Sequence, residues 1–106
     1  MIKTTLQKLG ITCNYVGYKQ IVLAIRLALE DEDRLCKNTR QIYWVVADET
    51  SSPRCNIERN FRTLIFRAWK TNSRLLKDIA GFPLFSPPSV SQFLAIMVTY
   101  LKRTEM

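Results

Sequence analysis

Apolar side chains recur at intervals of three and four along this chain, and that period constrains its fold more than any other feature. Tyr18, Ile21, Val22, Ile25 and Leu29 form one such stripe, on a helix over about 17–30. Ile42, Tyr43, Val46 and Ala47 form another over about 40–49, and Ile57, Phe61, Leu64, Ile65 and Ala68 a third over about 53–70, with Trp69 at its edge. Val90, Phe93, Leu94, Met97, Tyr100 and Leu101 mark a last helix over about 90–103. Shorter helices are expected over about 3–9 and 73–80. No pair of strands is indicated. Three glycines and four prolines in 106 residues are too few for an all-β chain full of tight turns. The expected fold is all-α, a compact six-helix domain over residues 1–106, with no repeat, linker or low-complexity tract.

The breaks between helices carry their own signals. Gly10 suits the left-handed turn that closes the first helix. The acidic run Glu30-Asp31-Glu32-Asp33 opposes the negative end of a helix dipole, so the chain should turn there. Without a glycine-containing loop that run reads as a solvated helix end rather than a metal site. Asn38 or Thr39 can cap the helix over 40–49, and Ser52 followed by Pro53 at the first helical position starts the next. Asn72 is placed to cap a fifth helix ending at Gly81. Pro83, Pro87 and Pro88 exclude a helix across 81–89, and Ser89 with Gln92 forms a capping box for the last helix.

Charge is unevenly placed. The chain holds 16 basic and 9 acidic side chains, a net charge of +7. Residues 53–106 hold nine of the basic and only three of the acidic ones, most of them between Arg54 and Lys77. A local positive field of this kind attracts polyanions. On the helix over 53–70 the face opposite the apolar arc carries Asn56, Arg59, Thr63, Phe66 and Lys70. It is flanked by Glu58 and Arg62 on one side and by Asn60 and Arg67 on the other. Glu58 can pair with Arg62, but most of the arginines have no carboxylate partner, unlike a face built for solubility.

Such a face suits the major groove of DNA. Arginine can donate two bonds to guanine, asparagine can pair with adenine, glutamate can accept from cytosine, and a threonine methyl can touch thymine. The helix over 40–49, the Ser51-Ser52-Pro53 turn and the helix that follows have the order of a helix-turn-helix. A membrane-surface helix is a weaker use of the same pattern, because its apolar arc is needed to close the core. A single-stranded RNA reader would want aromatic platforms on the polar face, which offers only Phe66.

Other functions are disfavoured by what the chain lacks. With no histidine there is no Ser-His or Cys-His nucleophile pair, and no glycine-rich phosphate loop is present, so an enzyme is not expected. Cys13, Cys36 and Cys55 are odd in number and widely spaced, which fits reduced, semi-buried side chains in the cytoplasm rather than a zinc site; no metal or cofactor is expected. The apolar runs over 21–25 and 93–98 are too short to span a bilayer, and the first twenty residues lack the apolar stretch of a signal peptide.

Three blocks carry a resemblance. LGITCNYVGYKQIVLAI (9–25), NIERNFRTLIFRAW (56–69) and PPSVSQFLAIMVTYLKR (87–103) are similar, in order and spacing, to the C-terminal DNA-binding effector domain of the sporulation stage-zero A response regulators. The likeness covers about residues 5–103. It implies a six-helix domain whose third and fourth helices form the helix-turn-helix, with the fourth entering the major groove and adjacent protomers bound in tandem. Glu58, Arg59 and Arg62 match family positions that contact DNA. Asn56 and Thr63 stand where members usually have arginine and histidine, and Phe66 where they are polar.

The expected function is therefore sequence-specific binding of double-stranded DNA in transcription regulation of the sporulation type. Arg59 and Arg62 are expected to contact bases or adjacent phosphates, with Asn56, Glu58 and Thr63 adjusting sequence choice. Arg54, Arg67, Lys70 and Arg74 are expected to anchor phosphates, which positions a protein without specifying sequence. Beyond DNA, the implied partners are a neighbouring protomer, a full-length regulator and RNA polymerase. Family members usually carry a receiver domain before this one. Here Met1 leads straight into the effector-like segment, so phosphorylation is not expected to be its own switch. The alternative is a non-enzymatic interaction module that pairs with a full-length regulator and tunes it, with Phe66 as a contact.

Overall fold

Helix ends in this chain fall where small, polar or imino residues make them cheap, and they divide the described residues into five helices. A computed structural model describes residues 2–33 and 39–105. Within these the order is α1 (Ile2–Lys8), α2 (Tyr18–Glu30), α3 (Thr39–Glu49), α4 (Arg54–Ala80) and α5 (Val90–Glu105), and no strand occurs among the described residues. Gly10 follows α1 with φ 88, and a Cβ there would lie 2.6 Å from Thr71 Cγ2. Backbone sign and close approach both require glycine at this point. Helix α2 ends at Glu30, as the acidic run suggested, and Asp33 N–H donates to Asp31 Oδ1 at 3.1 Å just beyond it. At α5 the capping box closes in both directions: Gln92 N–H donates to Ser89 Oγ (3.2 Å), and Ser89 N–H to Gln92 Oε1 (3.4 Å).

Among the described residues five helices stand where six were expected. The expected fourth and fifth helices are both present as helical runs, joined end to end in α4 across a kink at Asn72, where φ −154 and ψ 65 leave helical geometry. The chemistry that suggested a cap is present at the kink: Asn72 Oδ1 accepts from Leu75 N–H at 3.2 Å, three residues on. Asn72 Nδ2 also donates to Lys8 O at 3.3 Å, tying the kink to the end of α1. One residue thus ends one helical run and caps the next without a connecting loop. One cap assignment changes, and another falls partly outside the described residues. Thr39 is itself the first described residue of α3, its hydroxyl 3.3 Å from that of Ser91, and Asn38 lies outside the described residues. Ser52 does not cap α4, which starts a residue late at Arg54, with Pro53 in extended conformation before it.

The predicted apolar arcs form the core. Ile57, Phe61 and Ala68 are fully buried and Leu64 and Ile65 nearly so, as are Ile21, Ile25, Ile42, Phe93, Leu94, Met97 and Leu101. Trp69 is partly buried at the edge. Helix α5 packs on α4 and α2, α2 packs on α3, and α3 packs on α4. Glu32 and Lys102 (3.0 Å) join the end of α2 to α5. Cys13 and Cys55 are exposed free thiols rather than semi-buried; Cys36 lies outside the described residues.

The turn between α3 and α4 is a compact left-handed closure made without glycine. Ser52 N–H donates to Ala47 O (3.0 Å) and Ser51 N–H to Asp48 O (3.4 Å), the paired bonds of a Schellman motif. Its left-handed slot is taken by Ser51, at φ 53. A non-glycine residue there costs about 1–2 kcal/mol, and the entropy glycine loses on folding returns part of that. Ser51→Gly is therefore expected to raise stability by about 0.5–1 kcal/mol. A thermal melt of the two proteins checks this, and a lower midpoint for the variant would contradict the strain.

Candidate nucleic-acid interface

Helix α4 is aimed by a buried amide network at its first turns. Gln20 of α2, almost wholly buried, donates to Ser52 Oγ at 3.0 Å and accepts from Asn60 Nδ2 at 3.0 Å. Thr50 Oγ1 donates to Val46 O at 2.6 Å and lies 3.5 Å from the same Gln20 amide nitrogen. Asn60, at the edge of the polar face on the helical wheel, is thus turned inward. Gly17 sits where a Cβ would meet Leu64 Cδ1 at 3.0 Å and Asn60 Cβ at 3.1 Å, so α2 begins hard against α4. Buried polar groups satisfied in this way hold the helix angle relative to the turn.

On the outward face the five candidate base-reading residues fall together within the first three turns. Asn56 Oδ1 accepts from Arg59 Nη2 at 3.0 Å, and the Arg62 guanidinium pairs with Glu58 one turn back. Both members of that ion pair are substantially exposed, at 72% and 44%. An exposed pair of this kind is worth about 0.2–1 kcal/mol and can be exchanged for a DNA contact. Thr63 Oγ1 donates to Arg59 O at 3.0 Å, so its hydroxyl proton is used within the helix. Tyr43 of α3 lies beside Glu58 and Arg62. Burial, with some help from the Glu58 charge and against that of Arg62, raises its phenol above the ordinary tyrosine value, so it stays a neutral donor.

Three of the expected phosphate anchors lean on aromatic rings. Arg54 lies 4.9 Å from the Trp44 ring centroid, Arg67 lies 5.3 Å from that of Tyr15, and Lys70 Nζ lies 4.9 Å from that of Phe66. Arg67 Nε also donates to the Tyr15 hydroxyl at 2.7 Å, which orients the guanidinium. Arg74 is exposed and stands two residues beyond the Asn72 kink. Tyr15, Trp44 and Tyr43 were not among the expected site residues. They come from the segment before α2 and from α3, and no pattern local to 53–70 announces them.

Among the described residues no group of three or more potential metal ligands occurs, and no helix is long and apolar enough to cross a membrane. The family model described as "Sporulation initiation factor Spo0A C terminal" matches residues 2–101. No curated protein and no solved structure matches the chain.

Proposed function

The chain belongs to the Spo0A C-terminal family, a family of DNA-binding domains in sporulation transcription regulation and not a known enzyme family, and from that premise we propose that it binds double-stranded DNA sequence-specifically through a helix-turn-helix made of α3 and the first half of α4. The observation that carries the reading is the outward face of α4. From Arg54 to Lys70 it presents five exposed cations against the single carboxylate of Glu58. The Schellman turn and the Gln20 network support it, since a reading helix needs a fixed angle to the helix that braces it. In this reading Arg59 and Arg62 contact base edges or adjacent phosphates, and Asn56, Glu58 and Thr63 adjust the choice of sequence. Arg54, Arg67, Lys70 and Arg74 hold phosphates. The protein acts in the cytoplasm, on DNA shared with a second protomer and with RNA polymerase or a full-length regulator as protein partners.

Selection of bound sequences from a random duplex pool tests binding and preference together. Two variants then separate reading from anchoring. Arg59 lies in the first turns of α4, the end that meets base edges in this motif, and a bidentate guanine contact is worth about 1–3 kcal/mol of discrimination. Arg59→Ala should weaken the selected site and tolerate a changed guanine. Lys70→Ala should weaken all duplexes alike and make the salt slope shallower by about one. Equal losses on every sequence for Arg59→Ala would remove its reading role. The half-exposed Phe66 is the observation that favours the second reading, an interaction module, and a selection that enriches no sequence would favour it further.

A further inference from the structure

Phe66 is out of place in a structure whose other α4 aromatics are buried or partly buried. It is 50% exposed, against 0% for Phe61 on the opposite side of the same helix. Nothing in the fold requires an aromatic ring there, because the core arc of α4 is complete without it. The ring stands as a ridge between two clefts. One, of about 450 Å³, runs along Tyr43, Arg62 and Pro87–Pro88; the other, of about 220 Å³, lies between Tyr15, Thr63 and Lys70. Lys70 covers one side of it at 4.9 Å.

Its position on the helix is specific. Phe66 follows Arg59 by seven residues, which at 3.6 residues per turn returns to within about 20° of the same direction, about 10 Å further along the axis. Thr63 lies between them along the axis, turned about 40° from Arg59. With a rise of about 3.4 Å per base pair, this displacement corresponds to about three base pairs. A phenyl ring has no donor or acceptor for a base edge. The one apolar feature that major-groove edges present is the 5-methyl group of a pyrimidine.

We propose that Phe66 reads a pyrimidine 5-methyl group, thymine in unmodified DNA, about three base pairs from the pair that Arg59 meets. The proposal rests on the DNA-binding reading above and adds to it a specificity determinant without hydrogen bonds. Lys70, stacked on the ring, anchors the neighbouring phosphate and holds the ring against the groove.

The test replaces each thymine of the selected duplex, one at a time, by deoxyuridine, which keeps the base pair and removes only the methyl. The parent protein should lose about three- to fivefold in affinity at one position, the amount expected for one buried methyl. Phe66→Ala should lose a similar factor on the unmodified duplex and show no further loss at that position. Phe66→Leu, which keeps an apolar side chain, should retain the sensitivity. Melting curves matching the parent, expected for an exposed side chain, show that both variants are folded. If Phe66→Ala keeps the parent's full deoxyuridine profile, or if the parent ignores every thymine methyl while binding the duplex, the proposal falls and DNA binding stands. A parent that enriches no duplex at all overturns both.

Discussion

Phe61→Ala is expected to cost about 3–5 kcal/mol of stability, because a fully buried aromatic is lost at the seam between the two helices of the proposed motif. Phe61 is fully buried and meets the Tyr43 ring edge-on, with centroids 6.1 Å apart and planes at 62°. That contact is worth about 0.5–1.5 kcal/mol beyond the area buried. Against a total of about 5–15 kcal/mol for a domain of this size, the loss leaves a marginal fold. The melting midpoint should drop by roughly 15–30 °C. Tyr43 also borders the Glu58–Arg62 pair, so loosening this seam disturbs the outward face of α4 as well as the core. DNA affinity should therefore fall in step with the folded fraction and return on cooling or with a stabilising co-solvent. Phe66→Ala, five residues on and facing solvent, should melt within about 0.5 kcal/mol of the parent. A Phe61→Ala protein that melts within a few degrees of the parent would mean that the α3–α4 seam is not where stability resides.

The contrast between Phe61 and Phe66 also marks what the sequence makes legible. Burial of Ile57, Phe61, Leu64, Ile65 and Ala68 follows from a period of 3.6, which is a property of neighbouring residues. The capping box at Ser89 and Gln92 follows from a spacing of three, equally local. The Asn72 kink was legible as a capping residue but not as an interruption inside one helix. Its side chain caps forward to Leu75 while its amide is held by Lys8, 64 residues away in sequence. Ser52 looked like a cap because serine before proline is a cap in isolation. In the fold its hydroxyl accepts from Gln20 and donates to Thr50 O, partners that only the packing of α2 against the turn supplies. The candidate site divides in the same way. Its cations and amides could be placed on one face from the helical period alone. The rings of Tyr15 and Trp44 that orient Arg67 and Arg54 come from other elements, where local pattern carries no information about them.

Binding to the selected duplex is expected to weaken by about 300- to 1,000-fold between 50 and 200 mM salt. Among the described residues, Arg54, Arg59, Arg67, Lys70 and Arg74 make no ion pair with a carboxylate, whereas Arg62 is engaged by Glu58. The four phosphate anchors, with Arg59 counted through the phosphate adjacent to the base it meets, release about five counterions' worth of charge, and at about 0.9 per contact the logarithm of affinity should fall with the logarithm of salt at a slope of −4 to −5. Arg67→Ala should make that slope shallower by about one. Tyr15→Phe should leave the slope nearly intact and weaken binding less, because the charge remains and only its 2.7 Å tether is gone. Titration at four or more salt concentrations measures all three. A flat dependence would count against a polyanion partner and for the interaction module. A slope steeper than about −6 would instead show that phosphates reach a second basic surface. The residues to mutate next would then be Lys3, Lys19 and Arg26, which line one cleft on α1 and α2.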